Sequence, residues 1–402
     1  MRPKSILLTA LVAGTVTAPA NAVEFMLYDN GAFGTNTAAR ESYQVAMDYW
    51  SSVLTDDVTV NLVVGKANLA GGTPSYTQAS LASNTLLATE WVYTALANDS
   101  TSALDAQAVA NLQPLKAKGY ANTYGALTVT TNGLNGAGNG YVDETTRIDS
   151  DNSANNATVL VNTATARAMN VEAVTGSIVD DTVYDAVAYF STNVTYDYDP
   201  TDGIDEGSYD YTGLAIQTIA VALGLDSYLW VWDSSTSPGA GSSTRSLENS
   251  IASKTIDLFR YSDSDTLDWS TSSSEKYFSI DGGDSQLFGS SEYHTGEYNG
   301  DGASASFWKD DETGKSGGIM DSDPGTGNGM AVSALDLAAV DAIGWDLNFD
   351  VLANPDYRMS TADIYRAMTA VPEPSTWLQM ILGFGLIGGA ARYRRPAARR
   401  TA

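Results

Sequence analysis

The sequence contains no cysteine. That removes disulfide scaffolds, thiolate zinc sites, iron-sulfur clusters and thiol nucleophiles together. It contains a single histidine, His294, which excludes any metal centre built on two or three imidazoles. Basic residues are scarce: 21 Lys and Arg stand against 48 Asp and Glu, a net charge of -27. A surface of that sign repels phosphate backbones, so nucleic acid is not an expected partner. Neither a phosphate-binding Gly-x-x-x-x-Gly-Lys loop nor a dinucleotide fingerprint nor an internal repeat is present. What remains is a chain of 402 residues, 43% hydrophobic, long enough for one large domain or two ordinary ones with a real core.

The two ends read as addresses. Arg2 and Lys4 precede an apolar run from Ile6 to Val16, and Ala20-Asn21-Ala22 follows. This is the layout of a secretory signal peptide, cut after Ala22 by signal peptidase. At the other end, Pro372-Glu373-Pro374 and Trp377 lead into an apolar stretch from Leu378 to Ala391, followed by Arg392, Arg394, Arg395, Arg399 and Arg400. The run is close to the lower limit of about 17 residues for a spanning helix, with arginines placed to stay cytoplasmic. This tail resembles the PEP-CTERM sorting signal. The resemblance implies processing near the triplet by an exosortase-type enzyme, with the single-span helix as a temporary membrane anchor. It also implies a cell-envelope, surface or extracellular-matrix location. Cutting residues 1–22 and 392–402 removes seven basic residues and no acidic one, which leaves 14 against 48 in the exported part.

Between the ends, helices and strands come in separate blocks, which predicts an α+β fold. Ala39, Tyr43, Ala46, Met47 and Trp50 recur at intervals of three and four, an amphipathic helix with Thr37 as its cap. The β-branched run over 58–64 predicts a strand, and further strands are expected over 126–131, 158–161 and 186–196. Helices are expected over 84–98 and 103–118. Residues 226–330 are rich in Ser, Gly and Asp with short apolar runs, which predicts an irregular β-rich insertion. A last core helix is expected over 333–345, with Ser333 and Asp336 in a capping-box pattern.

Residues 212–225 predict a buried helix, apolar nearly all round, with Thr212 as cap and Gly224 near its stop. Its wording, from Ala215 to Leu225, resembles the active-site helix of zincins, His-Glu-x-x-His followed by Ala-Leu-Gly and an apolar residue. The acidic approach Asp197 to Gly203, Leu258 to Ser262, Phe278 to Gly283, Gly318 to Asp321 and Ala334 to Trp345 are similar to landmarks of a PEP-CTERM-associated zincin-like metalloprotease family. The resemblance implies a zincin-like domain in two parts, 23–225 ending in the active-site helix and 226–370 with the β-rich insertion and the C-terminal helices. It is flanked by the signal peptide (1–22) and the sorting segment (371–402). Met320 then stands for the methionine turn beneath the metal.

Zincin chemistry needs two imidazoles at i and i+4 and a glutamate that takes a proton from the zinc-bound water. The matching positions here are Gln217, Thr218 and Val221. A carboxamide is a poor zinc ligand, a hydroxyl is no base, and an isopropyl group coordinates nothing. In Ala305-Ser306-Phe307-Trp308, the resemblance places Phe307 where the family has a histidine before the tryptophan. The expectation is a zincin-like pseudoenzyme with no zinc and no other required cofactor. Its alternative is an active secreted hydrolase using a non-standard site.

Other constellations are weaker. Asp197, Asp199 and Asp202 suit calcium, although the EF-hand register fails because Gly203 falls at position seven and Ser208 at twelve. His294 lies in a polar segment where a solvated loop histidine is the expectation over a hydrolase base, since no Gly-x-Ser-x-Gly elbow accompanies it. Trp230 and Trp232 would point the same way from a strand and offer a carbohydrate-binding face.

Overall fold

The computed structural model describes residues 23–370 except 79–83, 121–123, 144, 245, 250–252, 312, 313 and 315. The expected signal peptide, the cleavage point at Ala22 and the segment from residue 371 onward lie outside the described residues.

The chain opens with strand Glu24–Asn30, helix Thr37–Val53 and strand Thr59–Ala67. The two strands pair in parallel, Phe25 opposite Val60. Strand Ala186–Ser191 adds in parallel on the far side of Thr59–Ala67, Ala188 opposite Val64. Strand Ser75–Gln78 closes the sheet antiparallel to it, Tyr76 opposite Tyr189. Val60, Leu62 and Val64 are buried on one strand and Ala186, Ala188 and Phe190 on the next. This period-two pattern supplies one apolar face. The ring of Phe190 meets Tyr43 of the first helix and Tyr211 of the helix Tyr211–Ala222, so both helices pack on that face.

Secondary structure mixes helices and short strands, consistent with the α+β class. A single apolar core runs from Val23 to Ile364. The predicted face of the first helix is buried, and Val45, Tyr49 and Val53 widen it. Its cap is Asn36 rather than Thr37. The Asn36 Oδ1 accepts the Ala39 N–H at 3.0 Å, which satisfies one of the orphan amides of the first turn.

Residues 84–98 are not one helix. Asn84–Ala88 is a strand antiparallel to Thr158–Asn162, and only Thr89–Asp99 is helical. The partner strand overrides local propensity there, as tertiary context commonly does. The next helix, Ala103–Ala110, stops well before residue 118, because Pro114 bars continuation and the chain turns into strand Lys116–Tyr120. The expected strand over 186–196 is two, Ala186–Ser191 and Thr195–Asp197, and the second pairs with Ser208–Asp210 instead. Trp230 and Trp232 sit on a short helix, Trp230–Ser235, rather than a strand. Two residues on a helix are about 200° apart, so Trp232 is buried while Trp230 is 49% exposed. They form no common face.

Candidate functional site

Every residue of the helix Tyr211–Ala222 is buried. Its cap is Asp210, not Thr212. One carboxylate oxygen accepts the Gly213 N–H at 2.9 Å, and the other takes the Met330 N–H at 3.0 Å and the Thr361 hydroxyl at 2.5 Å. Thr212 instead shares a hydrogen bond of 2.7 Å with Ser42 on the first helix. Glycine is required at 213, because a Cβ there would lie 2.6 to 2.8 Å from the Met330 side chain. At the other end Gly224 turns the chain with φ +102°. The last carbonyls are taken by side chains: Asn162 reaches Val221 O at 3.0 Å, and Thr165 and Trp345 reach Leu223 O at 2.9 and 2.8 Å.

Midway along this helix, the Gln217 amide donates to the carbonyls of Ile319 at 3.0 Å and Asp321 at 2.7 Å. These bracket Met320, which is itself buried. The helix and the Ile319–Asp321 segment are thereby brought face to face. Three further ties hold the segment. The Trp308 N–H donates to Met320 O at 2.9 Å. The Asp336 carboxylate accepts the Ile319 N–H at 2.9 Å and the Trp308 indole N–H at 2.8 Å. Asp336 is also the expected capping-box residue of helix Ala334–Ala342. Its carboxyl is pushed up by burial, against which the Ser333 and Ile319 N–H groups and the Trp308 indole act. A Cβ at Gly318 would fall 2.1 to 2.5 Å from that carboxylate.

Thr218 is buried and donates to Ala215 O at 2.8 Å, with Tyr43 OH 3.4 Å away. Val221 adds an isopropyl group with 8% exposure. The residues at these three positions therefore fit zinc poorly: the Gln217 side chain, whose nitrogen is a donor only and bonds two carbonyls, offers just a weak amide oxygen, Thr218 a neutral hydroxyl and Val221 nothing.

His294 is not a solvated loop residue. Its side chain is 14% exposed. The ring Nδ1 lies 3.1 Å from Asp301 Oδ2, and Nε2 lies 3.2 Å from Ser322 Oγ. Burial acts to raise the Asp301 carboxyl, but the Thr295 N–H and then His294 outweigh it and hold the group below the usual carboxylate range. Ser322 follows directly on Asp321, so the Gln217 bond also anchors the chain that carries Ser322. Asp321 is pushed up to about 6, first by burial and then by the charges of Asp310 and Asp323. Nothing in the spacing of Ser322 and Asp301 along the chain joins them to His294. The His294 N–H pairs with Phe307 O at 2.9 Å, so the one histidine stands across from the position where the family resemblance looked for one.

Asp197, Asp199 and Asp202 do not converge. Asp197 accepts the N–H groups of Asp199 and Asp205, and Asp199 accepts those of Thr201, so the carboxylates close their own loop. Among the described residues, the acidic trio whose oxygens do converge is Asp149, Asp151 and Glu248. Arg147 pairs with two of the three, Asp149 and Glu248. A second acidic group sits where helix Ala103–Ala110 meets helix Ala334–Ala342. Burial, followed by mutual repulsion that includes Asp346, pushes Asp99 and Asp341 up to about 8, and Asp105 is raised as well. Burial likewise pushes Asp56 up to about 7.

Residues 370–395 match the family described as the PEP-CTERM protein-sorting motif. The chain thus carries a PEP-CTERM sorting motif, which supports export and sorting to the cell envelope with processing by an exosortase. No curated protein and no solved structure matches the chain, and the zincin resemblance draws no support from that side. No helix among the described residues is long and apolar enough to cross a membrane; Leu378 to Ala391, the expected span, lies outside them.

Proposed function

We propose that residues 23–370 form an envelope or matrix body on a metalloprotease-like plan that has given up zinc. In this reading signal peptidase frees the chain after Ala22, and the apolar run from Leu378 holds it in the membrane until the exosortase acts near Pro372-Glu373-Pro374. The observation that carries the reading is the use of Gln217. The side chain at the first ligand position is a carboxamide whose N–H groups bond the carbonyls of Ile319 and Asp321, where a zinc peptidase needs an imidazole lone pair. Thr218 and Val221 complete a site that is closed by packing instead of metal.

Metal analysis of the purified full chain tests this. Zinc far below one equivalent is the expected result, while stoichiometric zinc with peptidase activity lost on chelation overturns the reading. Placing His, Glu and His at 217, 218 and 221 is expected to confer zinc binding if the plan is metalloprotease-like.

A further inference from the structure

The single histidine of the chain has both ring nitrogens engaged, one by a carboxylate and one by a serine hydroxyl. We propose that Ser322, His294 and Asp301 form a nucleophilic hydrolase site that acts on neutral or cationic carboxylic esters. An ionised Asp301 can only accept, so the imidazole proton sits on Nδ1 and the Nε2 lone pair faces the Ser322 hydroxyl. Both contacts, 3.1 and 3.2 Å, lie within reach for a nucleophile, its base and the group that orients the base.

The surroundings hold this arrangement in place. The buried Arg260 donates to His294 O at 3.0 Å and Ala305 O at 3.1 Å and lies over the Tyr293 ring. The Asp233 carboxylate accepts the N–H groups of Tyr298 at 2.9 Å and Asn299 at 3.0 Å, and this fixes the loop between His294 and Asp301. Gly300 lets the loop close, since a Cβ there would lie 2.4 Å from Gly296 N. Ser322 is held from the opposite side by the Gln217 bond to Asp321 O. Serine and histidine thus come from two separately braced segments, as a preorganised site requires.

The chemistry balances with water as co-reactant. The Ser322 Oγ bonds to the ester carbonyl carbon, and its proton passes to His294 Nε2. The bond to the alkoxy oxygen breaks, and the leaving alcohol takes that proton. Water then attacks the acyl-serine, returns a proton through His294 to Oγ, and releases the acid. Asp301 is a positioning residue that stabilises the imidazolium. Substrate charge follows from the surroundings. Asp310, Asp321 and Asp323 lie around the site and disfavour anions.

This inference stands apart from the absence of zinc, because its test reads a covalent bond. The purified full chain is treated with a fluorophosphonate probe and digested for mass spectrometry. The adduct is expected on the peptide carrying Ser322, absent in Ser322→Ala and reduced at least a hundredfold in His294→Ala. Asp301→Asn is expected to lower kcat on p-nitrophenyl acetate tenfold or more with KM unchanged, which a purely structural role would not do. Circular dichroism verifies that Ser322→Ala, which removes one hydroxyl, stays folded. An unlabelled Ser322 in the parent chain, or equal labelling in His294→Ala, overturns the proposal.

Discussion

The Gln217 side-chain amide reaches the Asp321 carbonyl at 2.7 Å across two segments 104 residues apart in sequence. The bond joins a wholly buried helix to the segment that carries Ser322. Gln217→Ala would leave the Asp321 carbonyl without that donor, at a cost of about 1–3 kcal/mol. Gln217→Glu is expected to cost more at neutral pH, since a carboxylate would face two carbonyl oxygens. Urea unfolding checks both: the midpoint falls and the slope stays the same.

Asp336 is the second junction. Its carboxylate accepts from Ser333 N at 2.7 Å, Ile319 N at 2.9 Å and Trp308 Nε1 at 2.8 Å, three donors from three segments. Asp336→Ala strands them all, and a loss of about 3–5 kcal/mol is expected, with Asp336→Asn recovering part of it. Thermal melts of the three proteins order the effect. Gly318→Ala should resemble Asp336→Ala, because the added methyl group would overlap the carboxylate.

The acidic group of Asp56, Asp99 and Asp341 gives an unusual pH response. Burial raises their folded values to about 7, 8 and 8, above the unfolded value. The folded state therefore binds more protons than the unfolded one between about pH 4 and 8, and stability falls as pH rises through that window. Asp301, shifted downward, works the opposite way and loses its contribution as pH falls through its folded value. A melting temperature higher near pH 5 than near pH 8.5 is expected. Asp341→Asn should narrow that gap, and a gap unchanged by this substitution would count against the assignment.

Much of the fold was legible wherever a local signal decided it. The core face of the first helix followed from spacing, and the Ser333–Asp336 capping box from two residues three apart. Asn84–Ala88 was not legible, because its pairing with Thr158–Asn162 is settled by a partner some 70 residues away. The caps at Asn36 and Asp210 were missed because Thr37 and Thr212 offered equally good hydroxyls next door. The degenerate positions Gln217, Thr218 and Val221 were readable as residues, but the two carbonyls that occupy Gln217 were not. Ser322 and Asp301 escaped notice because serine and aspartate are abundant here, and only the lone histidine marked the place. Its partners lie 28 and 7 residues away, both further along the chain.

The helix Thr361–Thr369 ends where the sorting motif begins, at residue 370. Its Thr361 is bonded to Asp210, its Ile364 is buried in the core, and its Arg366 reaches Thr201 O at 2.5 Å. A protein held by this end would feel any tug from flow or a neighbouring cell first in that helix, then at Asp210. Stripping the helix away would remove the Thr361 bond that steadies the capping Asp210, so the point of attachment and the mechanical fuse of the body are neighbours.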